Sequence, residues 1–271
     1  MTSTTWEPGL TSAPLLALTR MLGEPRRDLA ILAEGNTSER LDDGRLVVKA
    51  SGASLADSTA EDFVVVDVDE VIAVVEDPRA TQTDLSALLV VPGSERPGGA
   101  GPRRASIETV VHAALHTMAR DLADESRAAV RFVGHTHPTD VVGLLASVRA
   151  EAAWAEIVYS DEAVVIGRPL YVPYATPGID LGRVYLSALR GYADRHGRLP
   201  QLVLLANHGI VATAPTTAGV EAVSTMAVKG ARVRSTAYAV GGTRGLSEEQ
   251  VEKFFARDDI AERRANLARG Q

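Results

Sequence analysis

No cysteine occurs anywhere in the 271 residues, so disulfides and thiolate metal sites are both excluded, and any metal has to be held by histidines and carboxylates. Positive charge is also short. Lys and Arg total 28 against 35 Asp and Glu, a net charge of −7, which disfavours a nucleic-acid backbone or an anionic membrane surface and leaves a small molecule or another protein as partner. No apolar run approaches the roughly 20 residues that a bilayer crossing takes, and Met1 to Pro8 lacks a basic segment followed by an apolar core, so the expected location is the cytoplasm. What the chain does have is 45% hydrophobic residues, enough for one sizeable core.

Within that frame the most informative stretch is His135-Thr136-His137. Ala129 to Gly134 leads in as a buried strand and Pro138 ends it. A period of two sends both imidazoles to one face while Thr136 points away. Two neutral imidazoles at a strand end are how a grip on a transition metal begins, although two strand histidines that merely hydrogen-bond present the same pattern. His208, in Asn207-His208-Gly209, follows the strand Leu202 to Leu205 at a Gly-permitted bend. It is either a structural turn residue or the third ligand, and three neutral His with an open position make a catalytic rather than a structural zinc site.

The spacing predicts helices and strands interspersed throughout, hence one mixed α/β domain over residues 1–271 with no internal repeat. Ser12 caps a helix carrying Leu15, Leu18 and Leu22, with Pro14 in its first turn. Strands are predicted at Leu46–Val48 and Phe63–Val66, with loops at Gly35–Ser38 and Ser51–Ser54, and short helices at Asp67–Glu76 and Asp84–Leu89. The segment 92–104, dense in Gly, Pro and Arg, is expected to be a mobile excursion. Ser106 is expected to cap a helix through Met118. Further on come a helix from about Asp140, a β segment at Val164–Ile166, Tyr171 to Tyr174, a helix near Asp180–Arg190, the Leu202 strand with its return at Ile210–Ala212, a long helix over Ala218–Tyr238, and a charged helical end over 247–271.

Glu108 is the best carboxylate partner for the histidines, because a helix start favours an anion and the preceding loop can border a cleft; most such glutamates are solvated or capping. His112, one turn on, either orients Glu108 or packs, and is not counted as a ligand. His116 and His196 read as surface residues. Asn36, Thr37, Ser51, Gly52 and Ser106 supply small polar groups and flexible backbone suited to a phosphate or other anion, with Lys49 adding charge; ordinary turns use the same residues.

Together these pieces resemble the class II aldolase/adducin family. The likeness runs through Glu34-Gly35-Asn36-Thr37-Ser38, Val48-Lys49-Ala50-Ser51-Gly52, Ser106-Ile107-Glu108-Thr109 with His112, Gly134-His135-Thr136-His137-Pro138, Val172-Pro173-Tyr174 with Pro177-Gly178, and Asn207-His208-Gly209. It is strongest to the aldolase domain that in rhamnose-type sugar pathways is fused to a dehydrogenase. The resemblance implies a three-layer α/β/α domain around a largely antiparallel sheet, assembled as a homotetramer. It implies zinc, with manganese or cobalt as substitutes, on His135, His137 and His208, with Glu108 as fourth ligand or acid/base. It implies a phosphate site at Asn36, Ser51, Gly52 and Ser106, and a ketose or ketose 1-phosphate as the substrate of retro-aldol cleavage. Tyr159 and Tyr174 are the candidates for a second acid. One departure is Ile107, where the sugar-phosphate aldolases often carry a second hydroxyl. Relatives that dehydrate or decarboxylate share the metal shell, and adducin-like relatives lack the catalytic residues.

Overall fold

The computed structural model describes residues 4–96, 98, 101–122 and 129–269. Its strands are β1 (Asn36–Arg40), β2 (Leu46–Lys49), β3 (Phe63–Val66), β4 (Val90–Glu95), β5 (Pro102–Arg104), β6 (Phe132–Thr136), β7 (Leu170–Val172), β8 (Leu202–Leu205) and β9 (Gly209–Ala214). Seven of them form the central sheet, in the order β3-β2-β1-β6-β9-β8-β7. Every neighbouring pair in it is antiparallel except β7 with β8. Alternation along the strands divides the apolar side chains between two cores. Leu46, Val48, Val64, Val66, Val133, Val203, Leu205 and Val211 face one helical layer, while Val47, Phe63, Val65, Phe132, Leu202, Leu204 and Ile210 face the other. The first layer is α2 (Val68–Glu76), α3 (Gln82–Leu88), α4 (Thr109–Asp121) and α8 (Ile179–His196); the second contains α1 (Ala13–Leu22), α5 (Thr139–Leu145) and α9 (Thr217–Ala239). The expected three-layer arrangement around a largely antiparallel sheet is therefore present.

Local chemistry explains several helix starts. Ser12 accepts from the Leu15 amide, Asp67 from those of Asp69 and Glu70, and Thr81 forms a reciprocal box with Asp84, each satisfying amides that a helix start leaves without partners. Short helices α6 (Ala150–Trp154) and α7 (Ser160–Val165) follow α5, and the charged end forms two helices, α10 (Glu248–Phe255) and α11 (Asp258–Arg269).

Several expectations are corrected. In place of a loop at Gly35–Ser38, Asn36–Arg40 is a central strand whose Asn36, Thr37, Ser38 and Glu39 are all buried. Its polarity is matched by Thr19, His112, and Ser12 with Arg131, which bond Thr37, Ser38 and Glu39 respectively. Val164–Ile166 is the end of helix α7 and not a strand. The acidic first turn of Asp161 and Glu162 suits a helix start, and Glu162 is tied to Arg234 of α9 by a 2.6 Å ion pair. Ser106 is not the cap of α4; Glu108 holds that position, and the Thr109 amide bonds the Ser106 carbonyl at 3.0 Å. The 92–104 segment is not a plain loop, because β4 and β5 pair there as an antiparallel ribbon; residues 97, 99 and 100 lie outside the described ones.

Gly134 of β6 sits where α1 and α9 press on the sheet, and a Cβ there would lie 2.8 Å from Leu22 Cδ1 and 2.9 Å from Val220 Cγ1. Gly134→Ala is expected to lower unfolding stability by about 1–3 kcal/mol through overpacking, read from the midpoint of urea denaturation; an unchanged midpoint would show that the two helices yield freely.

Candidate metal centre

Sheet register brings the site together. On the central strands, His135 lies opposite Asn36 of β1 on one side and Val211 of β9 on the other. Its Nδ1 is 2.8 Å from the Ile210 carbonyl. A carbonyl only accepts, so Nδ1 carries the proton and Nε2 offers its lone pair. His137 follows two residues on and keeps the same face. His208 enters from the β8–β9 turn, where Asn207 adopts φ 53. Gly209 makes the approach possible, because a Cβ on it would lie 2.5 Å from His137 Cδ2.

The three rings form a near-equilateral triangle with centroids 4.7, 5.0 and 5.0 Å apart. Glu108 closes it, with Oε2 3.2 Å from His135 Nε2 and Oε1 2.7 Å from His208 Nε2. His137 Nε2 lies 3.0 Å from His135 Nε2, while its Nδ1 faces Glu34 at 3.6 Å. One ligand atom from each of Glu108, His135, His137 and His208 falls within 4.8 Å of the others. Three imidazole nitrogens and a carboxylate converging on one point fit a divalent transition ion with nitrogen and oxygen donors.

The electrostatics agree. Burial would raise the Glu108 carboxyl, but the adjacent His135 and His208 outweigh it and hold the group well below the usual carboxylate range. Burial lowers His135, and Glu108 reverses the sign, so His135 is raised. His137 is pushed down to about 3 by burial and by the other two rings, leaving it neutral and ligand-competent. A cavity of about 400 Å³ opens onto His137 and His208, with Asp28, Ile31, Glu34 and Val142 in its wall.

The other anticipated residues divide. Asn36, Ser106 and Glu108 are in contact, with the Asn36 amide donating to Ser106 Oγ at 3.2 Å and to Glu108 Oε2 at 3.0 Å. The turn with Ser51 and Gly52 lies beside Ser106, since Ala50 bridges Ala105 and the Ser51 amide bonds the Arg104 carbonyl. Lys49 is buried beneath that turn, its ammonium donating to the carbonyls of Ala50 and Ala53; burial pulls it down to about 8. Thr37 is a correction: strand alternation turns its hydroxyl to the opposite face, where it bonds Thr19 at 2.6 Å. Tyr159 donates to Met226 Sδ at 2.7 Å on the flank of α9. Tyr174 is 61% exposed just beyond β7. His112 is not a ligand; it is buried against Ser38 and Asn36. The sequence suggested no role for Glu34 or Asp28; the first stands two residues before Asn36, and the second lacks any local signal.

Comparison with known proteins follows the same lines. The fold is of class II aldolase type. The model for the class II aldolase and adducin N-terminal domain matches residues 14–234, and the chain belongs to that family. Among solved structures, L-fuculose-1-phosphate aldolase from Thermus thermophilus is 20% identical with a TM-score of 0.56, covering 87% of this chain and 100% of its own. YgbL from Klebsiella pneumoniae, assigned provisionally as an aldolase, epimerase or decarboxylase, is 21% identical with a TM-score of 0.63, over 89% and 95%. An aldolase II superfamily protein from Pseudomonas syringae is 19% identical with a TM-score of 0.60, over 94% and 89%. No curated protein matches the chain. Among the described residues no helix is long and apolar enough to cross a membrane.

His116, expected at the surface, is 3% exposed inside α4. Burial and the nearby Arg40 lower it from 6.5 to about 3. The unfolded chain therefore takes up a proton at a pH where the folded one does not, so stability present above pH 6.5 is lost as pH falls towards 3. Going from pH 6.5 to 5 is expected to cost about 2 kcal/mol from this ring, with His112, also lowered by burial, acting in the same direction. Urea midpoints across that range, with His116→Leu giving the flatter profile, check it.

Proposed function

We propose that the protein is a zinc-dependent aldehyde-lyase that cleaves a ketose or ketose 1-phosphate into dihydroxyacetone or its phosphate and an aldehyde. The observation that carries this reading is the convergence of His135, His137, His208 and Glu108, two of which, His137 and His208, open onto a cavity with carboxylates in its wall. The three imidazoles hold the ion, and manganese or cobalt suit the same donors. When bound, the metal supplies Lewis-acid stabilisation of the charge that develops on the substrate carbonyl oxygen. Glu108 would be the fourth ligand at rest and, once substrate displaces it, the acid/base: in condensation its carboxylate removes the proton from the nucleophilic carbon, and in cleavage the carboxyl so formed returns that proton to the same carbon. Asp28 and Glu34 offer acceptors to the sugar hydroxyls, and Ser51, Gly52 and Ser106, above the buried Lys49, provide the place for an anionic group. Tyr174, exposed beyond β7, is assigned the aldehyde oxygen ahead of Tyr159, whose hydroxyl is engaged by Met226. The enzyme acts as a cytoplasmic homotetramer in this reading, akin to the aldolase domain of bifunctional aldolase–dehydrogenases.

A second reading, a dehydratase or decarboxylase on the same metal shell, is favoured by Ile107. That residue is apolar and 40% exposed beside Glu108, in place of a second hydroxyl. A non-enzymatic adducin-like role is disfavoured by the retention of all four donor side chains.

A screen of the metal-loaded protein against ketoses and ketose 1-phosphates is expected to yield dihydroxyacetone or its phosphate. An intact carbon skeleton or released carbon dioxide would support the second reading instead. Glu108→Ala is expected to lose about 10²–10⁴-fold in turnover; unchanged turnover would refute the role given to it.

A further inference from the structure

We propose that Asn36 and His112 form a positioning relay that holds the Glu108 carboxylate in the ligand set. The inference rests on the metal reading above and deepens it. The Asn36 side chain is 1% exposed, and its amide nitrogen has two protons to give. One goes to Ser106 Oγ at 3.2 Å and the other to Glu108 Oε2 at 3.0 Å. Both donors are thereby engaged, and one of them is aimed at the Glu108 carboxylate.

The orientation of that amide is dictated from both ends. An ionised carboxylate only accepts, so the nitrogen must face Glu108 and Oδ1 must face the other way, towards His112 Nε2. His112 therefore carries its proton on Nε2 and accepts at Nδ1 from the Ser38 hydroxyl, 2.7 Å away. Ser38 and His112 are both 0% exposed and reach the site only through Asn36. The relay has a competitor to overcome. Glu108 occupies the N-cap of α4, where a carboxylate ordinarily turns back onto the helix amides, yet here it makes no capping bond. Asn36 together with the imidazoles draws it off the helix and across the cleft. Without the relay, Glu108 relaxes towards α4 and the ligand set loses its carboxylate.

The test is Co²⁺ binding by the full chain at fixed neutral pH without substrate, read by titration calorimetry and the visible absorption of the bound ion. Asn36→Ala and His112→Leu are expected to bind about 10–100-fold more weakly than the parent, the usual effect of removing a group that orients a ligand. Asn36→Asp, which sets an acceptor against the carboxylate, is expected to be weaker still. His112→Gln places an amide nitrogen where Nε2 stands and is expected to restore the parent's affinity. Thermal melting of Asn36→Ala is expected to fall, because the buried His112 Nε2–H loses its acceptor, so Co²⁺ affinities are compared well below the melting range, and rescue by His112→Gln is the readout that a loss of stability alone does not move. Parent-like Co²⁺ affinity in Asn36→Ala would overturn the relay alone. Failure of the parent chain to take up Co²⁺ would overturn the relay and the metal reading together. Should His112→Leu not fold, Asn36→Ala and His112→Gln decide the matter.

Discussion

Everything in the site depends on one arrangement that is unfavourable without help: three imidazole nitrogens and a carboxylate brought to within 4.8 Å of one another in a largely buried place. Lone pairs and negative charge crowded at low dielectric repel unless a proton or a cation sits among them. The carboxylate is compensated by His135 and His208, so Glu108 is held low, and Glu108 in turn raises His135. A divalent ion would serve the same purpose and leave all three rings neutral. The fold supplies the rigidity that keeps the cluster assembled, since β1, β6 and β9 fix Asn36, His135 and Val211 in one row across the sheet.

Local rules are broken where that row is built. β1 is a central strand with four consecutive buried polar residues, and α4 begins without a side-chain cap. Both choices cost stability by the usual rules, and both set a donor or acceptor against a site residue: Ser38 on His112, Asn36 on Glu108, Glu108 on the imidazoles. The surrounding apolar layers, with Leu46, Val133 and Val211 wholly buried on one face and Leu202, Leu204 and Ile210 on the other, offset those costs and exclude water from the floor of the cleft.

Family membership sets the architecture, and the details of this chain modify what the architecture implies. Thr37 shares a motif with Asn36 but belongs to the opposite face of the sheet, and Lys49 is tied to the carbonyls of the turn it underlies. Ile107 puts an apolar side chain beside Glu108. The cavity onto which His137 and His208 open carries the carboxylates of Asp28 and Glu34 in its wall.

The clustered histidines were legible because a period of two and a Gly-permitted bend are local facts, and the first helix announced itself through its Ser12 cap. β1 was not legible: Asn-Thr-Ser-Glu has the composition of a turn, and only partners 18 to 92 residues away make a buried strand of it. The β-branched run at Val164–Ile166 misled in the other direction, since an acidic helix start and the buried Arg234 decide its conformation. His116 looked like a surface residue because nothing in its neighbours along the chain reveals that α4 is buried on every side. Which side chains can bind a metal, and which elements carry them, followed from the order of residues alone, because donor chemistry and periodicity are properties of short stretches. That Glu108 turns away from its helix and that Asn36 faces it emerged with the packed molecule, because those orientations are set by groups that meet across the sheet.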